Sequence, residues 1–228
     1  MNKILYVIPA RSGSKGIKNK NILEWNGKPL IMHSFQFLLD QNISLDDICI
    51  STDSSDYVNF LENNGVHEKC ILKRPTCLGE DFVVDYPVIL HAWSTKEELL
   101  KKKFEFIALI RPTSPNRPKD IISKSLDLLI ENPQLTSVRA MRKVSEHPFR
   151  IWQLSSDNKY MKPLIEDVLE PGNIPRQKLQ NNFYFQSGEI EIMRRSTLQL
   201  GSISGSKVGI IEMTDKNIDI DTPDDIKY

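Results

Sequence analysis

Four cationic side chains cluster near the amino end of the sequence, among glycines and hydroxyl residues. The segment 8–22 reads IPARSGSKGIKNKNI, and its cations are Arg11, Lys15, Lys18 and Lys20, placed around Ser12, Gly13, Ser14 and Gly16. Glycines let backbone N–H groups approach a phosphate, hydroxyls donate hydrogen bonds to it, and Arg and Lys add charge-assisted bonds. The segment matches neither GxxxxGK[ST] nor GxGxxG, which argues against a P-loop NTPase and a Rossmann dehydrogenase. The pattern predicts a phosphate-binding loop, with a basic solvent-exposed turn as the alternative.

An acidic group lies near the other end of the sequence, where residues 217–225 read NIDIDTPDD. In a β-strand, Asp219 and Asp221 are two residues apart and project from the same side. Two carboxylates on one face repel each other unless a cation lies between them, and such oxygen ligands suit Mg²⁺. The alternative is an acidic cap for a closing helix, in whose first turn we place Asp224 and Asp225.

The composition limits the partners that the chain can have. Lys+Arg and Asp+Glu both number 30, so no net field favours nucleic acid or an anionic membrane, and we expect neither as a partner. The three cysteines are odd in number and lack metal-ligand spacing, so we interpret them as reduced thiols of a cytoplasmic protein. The apolar run 4–9 is too short for a signal-peptide core, and no run approaches the ~18 apolar residues that span a bilayer.

Short apolar runs alternate with amphipathic stretches in the first part of the chain. Strands are predicted at 3–9, 47–52, 69–72 and 104–110, and helices at 30–40, 54–64, 83–103 and 119–131. The charge run KEELLKKK at 96–103 is typical of a solvated helix face. This alternation predicts an α/β fold with a mostly parallel sheet covered on both faces, in which ligands bind beyond the carboxyl ends of the strands.

The pattern changes after about residue 138. Further strands are predicted at 136–141, 182–193 and 207–212. Between them, residues 142–180 are irregular and rich in proline, with hairpin-like pieces around 149–154 and 159–162. We therefore predict a single domain over residues 1–228 that carries an inserted arm at about 142–180.

The loop IPARSGSKGIKNKNI resembles the signature PARxGSKGxxxKN of the CMP-sialic acid synthetases, the acylneuraminate or nonulosonate cytidylyltransferases. The resemblance implies a Rossmann-like three-layer α/β/α nucleotidyltransferase fold. It also implies that the loop surrounds CTP and that Arg11 and Lys20 bind its phosphates. The nucleotide-binding residues assigned in this way are Arg11, Ser12, Gly13, Ser14, Lys15, Lys20 and Asn21.

Four later segments are similar to the same family in the same order, and the first is ISTD at 50–53, which ends the second predicted strand. KRPTCLGED at 73–81 resembles RPxxLAxD and implies that Arg74 faces CTP, although residues 82–85 depart from the small and hydroxyl residues usual there. LIRPTSPNRP at 109–118 resembles QPTSPLR and implies a sugar-acid site with Arg111, Thr113 and Ser114. IPRQK at 174–178 and the strand after it resemble PRQxLP…NGxIYI, which adds Arg176, Gln177 and Gln186.

Some of these residues have a purely structural alternative. Arg111 stands where family members commonly carry Gln, and that departure points to a different sugar. The loop 109–118 is otherwise a proline-rich turn with Ser114 or Asn116 capping the next helix. In the segment 50–53, ISTD, a helix cap by one of its polar residues stays as open as contact with the ligand.

The resemblance implies an enzyme that transfers CMP from CTP to the anomeric hydroxyl of a nonulosonic acid and releases pyrophosphate. In that family the DIDT element holds the metal, here Asp219 and Asp221 with Mg²⁺, or Mn²⁺ as an alternative. We assign catalysis to Arg11, Lys20 and Asp221, and deprotonation of the hydroxyl, assisted by the metal or an aspartate, is our hypothesis.

The arm resembles the family's dimerisation element, so we expect a homodimer, with a monomer carrying a surface insertion as the alternative. The product would serve the synthesis of a cell-surface glycan such as lipopolysaccharide or capsule. The alternatives are activation of 3-deoxy-octulosonate, a nucleotidyltransferase that uses UTP or GTP for another sugar, and a non-catalytic nucleotide-binding domain.

Overall fold

The computed structural model describes residues 3–165, 170, 172–179, 182–214 and 218–227, without the side chains of Arg176 and Lys227. Its strands are β1 (Ile4–Pro9), β2 (Glu24–Trp25), β3 (Lys28–Pro29), β4 (Ile48–Thr52), β5 (Ile71–Lys73), β6 (Phe106–Leu109), β7 (Ser137–Lys143), β8 (Trp152–Leu154), β9 (Met161–Pro163), β10 (Tyr184–Arg194) and β11 (Val208–Glu212). Its helices are α1 (Leu30–Asp40), α2 (Ser55–Asn63), α3 (Asp85–Leu100), α4 (Ile121–Glu131) and the short α5 (Arg195–Gln199).

The main sheet has seven strands in the order β11-β7-β10-β6-β1-β4-β5. β1 runs parallel to β4 and β6, so that Pro9 lies beside Ser51 and Val7 beside Leu109. β4 is also parallel to β5, whereas β10 is antiparallel to β6. The predicted α/β fold with a mostly parallel sheet is confirmed, and the antiparallel β10 makes the sheet a mixed one.

Helices cover both faces of the sheet. Neighbouring residues of a strand point to opposite faces, so each face has its own apolar cluster for helices to pack against. Ile8 of β1 packs in one apolar cluster with side chains of α1, α2 and α4, whereas Val7 packs in a second cluster with side chains of α3 and α5. Both are fully buried, and burying a side chain of this kind contributes about 1.5–3 kcal/mol to stability. The three-layer arrangement implied by the resemblance is confirmed.

The charged end of α3 differs from the prediction of a solvated helix face. Lys101 has a left-handed φ of 50° and ends the helix there. Lys96 is buried, and its Nζ donates to the carbonyl of Lys69 at 2.9 Å. Glu97 lies close to the core and forms an ion pair with Arg195. The run is partly internal because these charges find partners on neighbouring elements, which the charge pattern alone does not reveal.

The chain divides into two compact units, one of Met1–Ala140 with Ser187–Tyr228 and a smaller one of Met141–Gln186. Within the smaller unit, β8 and β9 pair as an antiparallel hairpin with Gln153 opposite Lys162. These two strands are the hairpin-like pieces predicted around 149–154 and 159–162.

Candidate active site

Three loops leave the carboxyl ends of neighbouring parallel strands at one edge of the sheet. They follow β1, β4 and β6, and they begin at Ala10, Asp53 and Ile110. A fourth segment, residues 218–221, joins them because the N–H of Ile220 donates to the carbonyl of Thr113 at 2.8 Å. Ligands of open α/β sheets bind at this edge, so it is where the predicted site residues are expected to meet.

The loop after β1 is shaped by hydrogen bonds from within the larger unit. Asn21 is buried, and its Nδ2 donates to the carbonyl of Arg11 at 2.9 Å. Ser12 donates to the carboxylate of Asp53 from its N–H at 3.3 Å and from its Oγ at 3.0 Å. The N–H of Ser14 donates back to the Ser12 carbonyl at 3.1 Å. Ser12, Ser14 and Asn21 thus hold the loop in position.

Arg11 and Lys15 share one carboxylate. Asp81 accepts from Arg11 Nη1 at 3.0 Å and from Lys15 Nζ at 2.9 Å, while Gly13 between the two cations faces open space. The hydrogen bond from Lys15, followed by the charges of Lys15 and Arg11, holds the pKa of Asp81 below its usual value. Exposed ion pairs contribute ~1 kcal/mol or less, so a triphosphate with several charges can replace Asp81 on these cations.

Lys20 and Asp221 form an ion pair between Nζ and Oδ1, although they are 201 residues apart in the sequence. The Lys20 side chain is only 15% exposed, whereas that of Asp221 is 62% exposed. Gly16 touches the same segment, since a Cβ added there would lie 2.5 Å from the Asp221 carbonyl oxygen. The basic loop and the acidic pair are therefore in direct contact.

Asp219 is partly buried beside the loop that follows β6. Its Oδ1 accepts from Ser114 Oγ at 3.3 Å. Burial raises the pKa of Asp219 and the charge of Asp221 raises it further, while hydrogen bonds from Thr113 and Ser114 oppose the shift. A divalent cation would offset this cost of two neighbouring carboxylates, so the pair fits Mg²⁺ or Mn²⁺.

The strand geometry on which Asp219 and Asp221 were expected to share a side is absent from residues 218–221. Residues 218–221 have no regular secondary structure, because Ile220 bonds to a loop and not to a neighbouring strand. The Ile220 side chain is buried, and the two aspartates flank it. Across the residues that the structure describes, no group of three or more His, Cys, Asp or Glu gathers to hold a metal. Substrate and water oxygens would have to complete the coordination, as is usual for Mg²⁺.

Arg74 lies beneath the loop after β4, with 4% of its surface exposed. Its Nη1 donates to the Ser51 carbonyl at 3.2 Å, and its Nη2 meets Asp53 at 3.4 Å. Burial lowers its pKa, and the charge of Asp53 opposes the shift. Asp53 also accepts hydrogen bonds from Ser12, so Arg74 stabilises the basic loop through Asp53. The cap of α2 is Ser54, so the capping alternative for residues 50–53 is wrong.

Arg111, predicted at the sugar-acid site, is held by two carboxylates. Its Nη2 lies 2.6 Å from Asp85 Oδ2 and 3.0 Å from Glu191 Oε1. Burial alone would lower the pKa of Arg111, but the two carboxylates outweigh burial and raise the pKa. Ser114 is buried against Gly188, where an added Cβ would lie 2.9 Å from Ser114 Oγ.

The capping alternative for the loop 109–118 is also wrong, because the N-cap of α4 is Asp120. The residue that sequence reasoning missed there is Arg117. It is buried, and its Nε donates to the Glu189 carbonyl at 2.7 Å and its Nη1 to Ser34 Oγ at 3.1 Å. Burial lowers the pKa of Arg117 to about 9. Its Nη2 also donates to the Arg111 carbonyl, so Arg117 fixes the loop from below.

The remaining sugar-acid residues belong to the smaller unit. Gln177 and Gln186 are exposed there, and the side chain of Arg176 lies outside the described residues. Their contact with a sugar acid stays a prediction. Among the helices that the structure describes, none has the length and apolar character needed to cross a membrane.

The fold is that of the α/β nucleotidyltransferases. A structure of CMP:2-keto-3-deoxy-manno-octonic acid synthetase complexed with CTP matches 99% of this chain and 96% of its own, with a TM-score of 0.68 and 17% identity. A 4-diphosphocytidyl-2C-methyl-D-erythritol synthase from Anaerococcus prevotii has a TM-score of 0.58 and 13% identity over 99% of this chain and 95% of its own. At such identities the likeness concerns the fold alone.

Sequence comparison finds relatives that are cytidylyltransferases. A cytidylyltransferase family model matches residues 5–87. An N-acylneuraminate cytidylyltransferase from Streptococcus agalactiae is 30% identical over 98% of this chain and 51% of its own length, so the chain spans about half of that relative. A CMP-N,N'-diacetyllegionaminic acid synthase from Legionella pneumophila is 29% identical over 98% of this chain and 93% of its own. These relatives agree with the resemblance of this chain to the CMP-sialic acid synthetases.

Proposed function

We propose that the chain transfers CMP from CTP to the anomeric hydroxyl of a nonulosonic acid, giving the CMP-sugar and pyrophosphate. The observation that carries the proposal is the contact between Lys20 of the basic loop and Asp221 of the acidic pair. A loop that binds phosphates and a pair that suits a divalent cation meet at the edge of the sheet where α/β folds bind ligands. Relatives named for sialic and legionaminic acids support the substrate class.

In this proposal the loop after β1 binds the triphosphate. Arg11 and Lys15 exchange Asp81 for phosphate oxygens, and Lys20 binds the same group beside Asp221. The sugar hydroxyl attacks the α-phosphorus, and pyrophosphate leaves from the opposite side. Arg11 and Lys20 stabilise the negative charge on the leaving pyrophosphate, so positioning and electrostatics supply most of the catalysis.

Asp219 and Asp221 would hold Mg²⁺, which when bound neutralises charge at the α-phosphate. Asp219 is fixed for this role by its bond from Ser114 and by the partial burial that separates it from bulk water. We propose that this acidic pair accepts the proton of the attacking hydroxyl. Thr113 and Ser114 orient the pair, and Arg111 lies next to them with donors for the sugar acid.

We also propose a cytoplasmic homodimer. The smaller unit carries exposed large apolar side chains, namely Ile151, Trp152, Leu154, Tyr160, Met161, Leu164 and Phe185. A second copy that packed against these side chains would bury them and stabilise the assembly.

The test is pyrophosphate release from CTP with a panel of sugar acids: N-acetylneuraminate, a legionaminate, a pseudaminate and 3-deoxy-octulosonate, with and without Mg²⁺. The proposal predicts release with a nine-carbon acid and its loss in EDTA. Release with octulosonate alone would favour the octulosonate alternative, and release only with UTP or GTP would favour another sugar. CTP binding with no release for any acid would leave the non-catalytic alternative.

A further inference from the structure

Four charged side chains of alternating sign form a network beside the proposed sugar-acid site. Asp85 meets Arg111 Nη2 at 2.6 Å, Arg111 Nη2 meets Glu191 Oε1 at 3.0 Å, and Glu191 Oε2 meets Arg139 Nη2 at 2.6 Å. All four belong to the larger unit. Guanidinium groups and carboxylates thus alternate, and Arg111 lies between the two carboxylates of Asp85 and Glu191.

Burial raises the free-energy cost of leaving any of these charges without a partner. The Glu191 side chain is 1% exposed and that of Arg139 is 14% exposed, so a charge without a partner here is costly. Arg111 shares Glu191 with Arg139, and Asp85 is the second carboxylate that compensates the charge of Arg111. Asp85 is the first residue of α3, where the partial positive charge of the helix end favours an ionised carboxylate.

Arg111 still has hydrogen-bond donors to offer. Its contacts with Asp85 and Glu191 engage Nη2, and within the described part of the chain Nε and Nη1 have no hydrogen-bond partner. The Arg111 side chain is 25% exposed and lies against the site, since a Cβ added at Gly188 would be 3.5 Å from Arg111 Cδ and 3.7 Å from Asp219 Oδ2. These donors therefore lie beside the residues that hold the sugar acid in the proposed function.

We infer that Asp85 is a positioning residue that neutralises Arg111, so that Arg111 binds an uncharged acceptor of the sugar acid, such as an acyl carbonyl, and not its carboxylate. A substrate carboxylate here would be a third carboxylate beside one half-buried guanidinium group, whereas a carbonyl oxygen accepts from Nε or Nη1 without adding a charge. The inference rests on the proposed function and names the substrate group that this part of the site selects.

The experiment compares R111Q, D85N and the double variant R111Q/D85N by KM for the sugar acid and KM for CTP. Gln keeps an N–H donor without the charge, so the double variant again has a neutral donor beside a neutral neighbour. Each single variant leaves one charge unbalanced, and we expect its sugar-acid KM to rise ~10-fold or more. The double variant should return to within ~3-fold of the wild type, and the KM for CTP should change less than ~2-fold throughout.

The opposite binding mode gives opposite results. If Arg111 bound the substrate carboxylate by charge, D85N would lower the sugar-acid KM and the double variant would be as impaired as R111Q. Either result overturns the inference, as does an equal change in the KM for CTP. If D85N alone does not fold, the comparison of R111Q with R111Q/D85N still decides, because only the inference predicts that the second change repairs the first.

D46N is the matched control. Asp46 forms a similar ion pair with Lys69 at 3.0 Å, but it precedes β4 and so lies at the amino-terminal edge of the sheet. We expect both KM values of D46N to match the wild type. If the wild-type protein releases no pyrophosphate with any sugar acid, the proposed function fails together with the inference. If it is active and the double variant is not repaired, the inference alone fails.

Discussion

Lys20 is the residue at which the two ends of the sequence meet. Its ammonium group is mostly shielded from solvent and paired with the more exposed Asp221. In the proposed function a CTP phosphate would replace one anionic partner of Lys20 with another, so the cation would already be positioned before the nucleotide binds. Positioning of this kind lowers the entropic cost of binding.

Replacing Lys20 with Ala should weaken CTP binding more than sugar-acid binding. The change removes a charge-assisted bond and leaves Asp221 to repel the triphosphate, so we expect the CTP Kd to rise ~10- to 100-fold. Titration calorimetry with CTP measures this, and Lys69→Ala is the control because Lys69 has a similar ion pair at the far edge of the sheet. An unchanged CTP Kd in Lys20→Ala would remove Lys20 from the phosphate site.

Residues that carry chemistry in a local pattern were predictable, and those defined by distant partners were not. The cations of the loop 8–22 and the Asp219–Asp221 pair stand out by type and spacing alone. Asp81 and Asp85 do not, because their roles arise from Arg11, 70 residues away from Asp81, and from Arg111, 26 residues away from Asp85. Only the fold brings these pairs together.

At the scale of elements, β10 matters for the site because of one glycine. Gly188 has a φ of +87°, a backbone conformation that residues other than glycine rarely adopt. Its Cα also lies so close to Ser114 that a Cβ would not fit between them. The strand can therefore pass directly against the loop that holds Asp219.

Gly188→Ala should disturb both stability and catalysis. Gly201, with a φ of +82° and no atom within 4 Å of an added Cβ, is the matched control for backbone strain. Strain of about 1–2 kcal/mol should lower the Tm of Gly201→Ala by ~2–8 °C without loss of turnover. We expect a larger decrease for Gly188→Ala, with reduced pyrophosphate release. Equal Tm values for the two variants would show that the contact with Ser114 is not tight.

Glu97 joins α3 to the start of α5. Burial pushes the pKa of Glu97 upward, but hydrogen bonds from Arg195 and from the Phe104 N–H outweigh burial and lower the pKa to about 2 from 4.5. A depressed carboxyl pKa contributes stability above the unfolded value and loses it as the pH falls. The contribution of Glu97 should therefore be complete above pH 4.5 and disappear towards pH 2.

Glu97→Gln should lower the free energy of unfolding by about 3 kcal/mol at pH 7, because Arg195 loses its partner. The difference from the wild type should shrink as the pH falls below 4.5. Urea unfolding at a series of pH values measures this. Glu98→Gln, the exposed neighbour, should change stability little at any pH. A pH-independent difference for Glu97→Gln would contradict the ion-pair account.

Most strands and helices lie within a few residues of their predicted bounds, because apolar periodicity reports burial directly. The antiparallel course of β10 was not predictable, since a buried strand reads alike in either direction. Nor was the irregular course of residues 218–221, where alternating aspartates and isoleucines have the pattern of a strand but bond to a loop. Local pattern specifies which face is buried and leaves the partner undetermined.

For the whole molecule, the α/β class follows from the alternation of strands and helices, and the resemblance to the cytidylyltransferases rests on the loop after β1. The assembly does not follow from either. The exposed apolar residues of the smaller unit support the proposed homodimer, and they became visible only when their burial was known.

The homodimer predicts a solution mass of twice 26.2 kDa by light scattering. Leu154 is 49% exposed on β8, and Leu154→Glu should shift the mass towards that of one chain, because a buried charge without a partner opposes association. Lys162→Glu is a matched exposed position on β9 that is not apolar and should have less effect. A wild-type mass of one chain at micromolar concentration would reject the dimer.

In the proposed function the basic loop and the acidic pair act together on one bound CTP molecule. The most direct measurement is the rate of pyrophosphate release by Asp221→Ala in Mg²⁺, with Asp46→Ala as the control. The account predicts a loss of at least ~100-fold with a Tm close to that of the wild type, since Asp221 is largely exposed. An Asp221→Ala variant that releases pyrophosphate at the wild-type rate would contradict it.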